Sequence, residues 1–224
     1  AQKEKILLIQ PEWDPAVQAE CKPQTRAMME HCMKRGVKFA LMAWNPINIQ
    51  MGEEVARDCE KEYNEKNPDD PKKYGVDWVS WGYKPMNLPV FLAFIKDIYS
   101  VIEKDSKGTP IRDVPMMQNV DSLRDVGLVF FVTGSGGVVA YIQFALPEIG
   151  FAVSTGCTAV MGPEQYPFLD SGQLVGMLEG MSGAAQYEAL INYPEGRGTR
   201  GMRSQDFAHL WIIFVTILGN IGYI

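Results

Sequence analysis

The chain has 224 residues, 46% of them hydrophobic, 11% aromatic and 21% charged, which suits one α/β domain with an appendage and excludes a disordered chain, a collagen-like repeat or a disulfide miniprotein. Lys plus Arg number 21 against 27 Asp plus Glu, a formal charge of −6, so no global attraction to nucleic acid is expected.

In chain order, Lys5–Ile9 (KILLI) is a strand-like apolar run and Lys22–Arg35 a helix stopped by Gly36. Val37–Trp44 is a second strand broken at Asn45-Pro46, Gly52–Glu65 a charged surface helix, and Val76–Trp81 a third strand. Val90–Glu103 carries apolar residues at steps of three and four, the spacing of a third helix, and a long loop runs from Lys104 to Asp121. Leu128–Val132 (LVFFV) is continuously apolar, as a strand buried on both faces must be; Val138–Leu146 follows as a helix, and Phe151–Ser154 opens a fifth strand. This alternation predicts a flavodoxin-like or Rossmann-like parallel sheet of about five strands, with the flavodoxin-like order favoured, over residues 1–194.

Phe207–Ile224 contains no Asp, Glu, Lys or Arg; its residues at roughly 1.5 Å each span about 27 Å, close to a bilayer's hydrocarbon core. Only His209, Thr216 and Asn220 interrupt it, and Trp211 and Tyr223 sit where interfacial aromatics belong. The sequence predicts a single-pass transmembrane anchor over 207–224, joined by a basic linker, 195–206, in which Arg197, Arg200 and Arg203 direct the domain to the cytoplasmic side. Ala1 is read as following a removed or omitted segment, which leaves the amino-terminal topology open.

In an open α/β sheet the ligand crevice lies beyond the carboxyl ends of the strands, and those loops hold the candidate binding residues. Glu12 and Asp14 follow the first strand and could hold a metal or act as a base; Lys84 follows the third and could meet an anion. After the fourth come Gly134, Ser135, Gly136 and Gly137, whose backbone N–H groups could cradle a phosphate, although neither established Gly-rich phosphate motif is present and a tight turn also needs small residues. Cys157 follows the fifth strand as a possible nucleophile with no histidine in the neighbouring loops. His31, in the first helix, reads as structural. The four cysteines lack a Cys-x-x-Cys pair and only two histidines accompany them, so no metal is expected, and with no established Gly-rich phosphate motif no cofactor is expected either.

Gly172, Gly176 and Gly180 recur at steps of four and are continued by Ala184, which on a helix would make a stripe for close approach to the domain's own sheet, to another subunit or to an anchor helix. Met116, Met117 and the methionines near the stripe suit an adaptable interaction surface or a core. The leading expectation is a membrane-anchored, non-catalytic accessory or assembly subunit whose partners are the membrane and other membrane-protein subunits or itself. The rival is an enzyme or sensor binding a nucleotide or other phosphorylated small molecule at the strand ends, and a third reading is an exported solute-binding domain.

Overall fold

A computed structural model describes residues 5–222. The strands are β1 (Ile6–Glu12), β2 (Phe39–Ala43), β3 (Trp78–Tyr83), β4 (Val126–Thr133), β5 (Ala152–Cys157) and β6 (Gly176–Glu179), all parallel in the order β3-β2-β1-β4-β5-β6. This is the doubly wound order whose direction reverses between β1 and β4. It corrects the expected flavodoxin-like order and adds a sixth strand.

Continuous apolar strands are required because both faces of the sheet are covered. Successive side chains point to opposite faces, so Ile6 and Leu8 enter one core while Leu7 and Ile9 enter the other. The first core is closed by α3 (Leu88–Lys96), by the π-turn Tyr141–Ala145 running into α4 (Leu146–Ile149), and by the segment expected as a long loop. That segment folds into short 3₁₀ turns that bury Ile111, Val114, Met116, Met117 and Val120, so Met116 and Met117 are core residues, not an interaction surface. The second core is closed by α1 (Gln18–Arg35) and α2 (Pro46–Lys66). Gly36 ends α1 in the left-handed conformation at φ 67°, as its place in the sequence predicts.

The glycine stripe is not a helix. Gly172 is in the turn after α5 (Gly162–Asp170) at φ 74°, Gly176 opens β6, and Gly180, at φ 60°, turns the chain into α6 (Gly180–Leu190), whose body holds the buried Ala184. Two of the three glycines therefore serve positive φ, which an α-helix excludes.

The expected linker is helical as well. Residues 197–206 form the beginning of α7 (Arg197–Gly222), which continues without a break into the apolar segment. Among the described residues no helix is long and apolar enough to cross a membrane, so the structure gives the predicted span no support. The described apolar part ends at Gly222, about 24 Å at roughly 1.5 Å per residue, while Tyr223 and Ile224 lie outside the described residues.

Candidate functional site at the carboxyl edge of the sheet

At the reversal point Glu12 of β1 pairs with Thr133 of β4, and the loops that follow diverge around a cavity of about 330 Å³ lined by Glu12, Asp14, Asn45, Asn48, Thr133 and Ser135 among others. The structure thus brings together Glu12, Asp14, Gly134 and Ser135 of the predicted site. Lys84 is elsewhere, over a shallow apolar depression with Pro85, Pro89 and Val90; burial pushes its ammonium down, opposed by Glu103.

The polar groups of the crevice are largely engaged with one another. Glu12 Oε1 accepts from Gln10 Nε2 at 3.0 Å and from the Trp44 N–H, and Glu12 Oε2 accepts from Asn48 Nδ2 at 3.0 Å. Beneath it the hydroxyl of buried Tyr141 donates to Gln10 Oε1 at 2.7 Å, which orients that amide. Burial raises the Glu12 carboxyl above its ordinary value, and the three donors only partly offset it. Asp14 Oδ1 accepts the Ala16 N–H at 2.8 Å, and Thr133 Oγ1 accepts the Ser135 N–H at 3.0 Å, so each carboxyl-edge loop is closed by its own side chain.

The glycines have mostly steric roles. A Cβ on Gly134 would stand 3.0 Å from Val17 Cγ1 and one on Gly137 2.8 Å from Phe131 Cζ; Gly136 alone of the three faces open space. Among the described residues no Lys or Arg lines the crevice, whereas two carboxylates do, and a phosphate placed there would meet uncompensated negative charge. Among the described residues no group of three or more His, Cys, Asp or Glu is placed to hold a metal ion.

Cys157 is buried, and burial first, then Glu179 and Glu20, pushes its thiol up to about 12, which leaves almost no thiolate near neutrality. The backbone here is a structural joint: the Cys157 carbonyl and that of Gly180 each accept from Gln24 Nε2 at 2.8 Å, tying α1 to β5 and α6. His31 Nδ1 lies 2.5 Å from the Tyr187 hydroxyl, and burial, then Arg35 and Lys34, hold the imidazole below its ordinary value. It is a packing residue between α1 and α6.

A second cavity of about 710 Å³ opens at the same edge, walled by Glu20, Ala159, Glu179, Met181, Met202 and Gln205 among others, between the ends of β5 and β6 and the helices α6 and α7. Sequence reasoning missed it, because its wall depends on α6 and α7 lying together. Gly198 and Gly201, three apart, are the available signal. A Cβ on Gly198 would stand 2.8 Å from Ala184 Cβ, and Gly201 is in contact with Met181. Ala184, the member of the predicted stripe inside α6, therefore packs against the helix that carries the apolar segment.

No family model matches the chain, and no curated protein does. A solved structure that it resembles is the homocysteine methyltransferase MmuM from Escherichia coli in its apo form, at 12% identity over 84% of this chain and 96% of that one, with a TM-score of 0.29. A likeness that distant carries no argument about fold or chemistry.

Proposed function

We propose that this chain is a membrane-associated α/β module that performs no chemistry of its own and serves as an accessory or assembly subunit, with α7 as its attachment to the membrane. One observation carries the reading. From Phe207 to Ile221 the apolar side chains of α7 are bare on every side of the helix, Trp211 at 66% and Ile213 at 55% exposure among them. Fully burying one such side chain is worth about 1.5–3 kcal/mol, so the helix has a large drive to enter an apolar phase.

The all-round distribution favours lipid over a protein groove, which would cover one face and leave a polar one to water. The two polar side chains midway agree with this: Thr216 Oγ1 donates to the Ile212 carbonyl and Asn220 Nδ2 to the Thr216 carbonyl, both at 2.8 Å, so each satisfies itself within the helix. The reading requires insertion of α7, not that its described residues cross the bilayer. Arg197, Arg200 and Arg203, exposed before the apolar segment, favour a cytoplasmic domain. The absence of catalysis rests on the crevice, where Glu12 is held by Trp44 and Asn48 of the next loop and Asp14 and Thr133 close their own loops, and on the buried thiol of Cys157. Fractionation of expressing cells tests the attachment: the chain should stay with membranes through an alkaline carbonate wash, and release into the supernatant as folded protein would contradict it.

A further inference from the structure

The path of α7 determines which side of the domain its apolar segment leaves from. Helix α6 starts at Gly180, directly after the last residue of β6, and so begins at the carboxyl edge of the sheet. Helix α7 runs back along it: Glu188 binds Gly198 and Thr199, Ala184 packs on Gly198, and Met181 on Gly201. As the α6 numbers fall the α7 numbers rise, which makes the pair antiparallel. By Gln205 the helix has reached the wall it shares with Ala159 and Glu20 at the end of β5, and Phe207 follows beyond it. The amino-terminal end of α7 lies at the opposite edge, where Glu195 pairs with Lys66 in the last turn of α2.

Beside this exit the β5–α5 turn presents Val160, 85% exposed, the highest value among the described large apolar residues. The turn is fastened: Glu20 Oε2 accepts the Ala159 N–H at 2.8 Å, and the exposed Tyr166 of α5 donates its hydroxyl to Glu179. A held apolar tip flanked by an exposed tyrosine, next to the point at which an apolar helix leaves, has the composition of a membrane-interface contact.

We infer that the carboxyl edge of the sheet is the membrane-facing side of the domain, with Val160 seated in the lipid headgroup layer beside α7. The inference rests on the proposed membrane attachment and adds the orientation: the switch-point crevice opens toward the lipid surface, and the amino edge faces away. The unbroken helix α7, locked to α6 through Glu188, transmits that orientation from bilayer to sheet.

The four native cysteines are buried, so an introduced cysteine is the accessible labelling site. Val160→Cys, at the carboxyl edge, and Arg124→Cys, just before β4 at the amino edge, would each receive an environment-sensitive fluorophore. Strand β4, at roughly 3.3 Å per residue, separates the two edges by about 25 Å. The labelled full-length chains are reconstituted into vesicles of phosphatidylcholine and phosphatidylglycerol carrying a headgroup-attached nitroxide quencher. The expected result is a large loss of fluorescence at position 160 and none at 124. Equal loss at both positions, or greater loss at 124, from chains that float with the vesicles overturns the orientation while leaving the attachment intact. Loss at neither position in floating chains also overturns it and places both edges of the domain clear of the headgroup layer. Chains that fail to float overturn the attachment itself.

Discussion

The carboxylate of Glu188, 1% exposed in α6, accepts the Thr199 N–H at 2.7 Å and the Thr199 hydroxyl at 2.8 Å, and its second oxygen accepts the Gly198 N–H at 2.9 Å. A helix start has N–H groups with no partner inside the helix, and here a side chain from a neighbouring helix fills them. The contact joins the folded domain to the helix that carries its apolar segment.

Glu188→Ala should therefore lower stability by about 2 kcal/mol, the upper range for losing a helix cap, and strip hydrogen-exchange protection from the first turn of α7. Glu188→Gln keeps an acceptor oxygen and should lose less. Unchanged unfolding and exchange in the alanine variant would remove the joint from the account.

The glycines separate in the same way. Gly198→Leu drives a side chain into Ala184 and the backbone of Ala185 and should cost about 1–3 kcal/mol. Gly176→Leu, where a Cβ meets nothing within 4 Å, should be tolerated. Calorimetry that ranks Gly176→Leu as the more damaging would contradict the strand placed there.

How far the sequence could be read follows from these elements. KILLI, VKFALMAW and LVFFV were legible because strands buried on both faces are unbroken apolar runs. Strand β6 was not, since its four residues are half-buried and lie within the run Gly172, Gly176, Gly180, whose four-residue spacing imitates a helix. Asn45-Pro46 read as a break, yet it starts α2: Asn45 Oδ1 accepts the Ile47 N–H at 2.9 Å and Pro46 takes the first helical position, where its missing N–H costs nothing. Glu12, Asp14, Gly134 and Ser135 line one crevice because all follow the carboxyl ends of adjacent strands, a position legible from the strand runs alone. That Glu12 is held by Trp44 and Asn48, from another loop, depends on tertiary contact and has no local signature.

The raised Glu12 carboxyl has a definite pH consequence. A group that binds its proton more tightly folded than unfolded contributes stability that is full below about pH 4.5 and is lost as pH rises through its folded value. The stability of the native chain minus that of Glu12→Gln should therefore decline as pH increases above 4.5. A difference that grows with pH would mean that Gln10, Trp44 and Asn48 outweigh burial.

The cysteines give a sharper test. All four are buried, and Cys21, Cys32 and Cys157 are each raised to about 12, chiefly by burial. A thiol reagent at neutral pH should label none of them in the folded chain and all four in urea. Rapid labelling of Cys157 in the native state would restore it as a nucleophile.

If the bare apolar surface of α7 attaches this domain to a membrane, as proposed, charges placed on that surface should release it. Ile213 and Leu218 are exposed and belong to neither core, so Ile213→Lys with Leu218→Lys should leave the fold intact while adding about 2.5–3.5 kcal/mol per lysine to the cost of insertion. The direct measurement is flotation of the full chain and this variant with phosphatidylcholine–phosphatidylglycerol vesicles, alongside their melting temperatures. The native chain should float, the double variant should stay at the bottom, and the two should melt alike. Equal flotation of both, or a native chain that stays behind, would contradict the attachment.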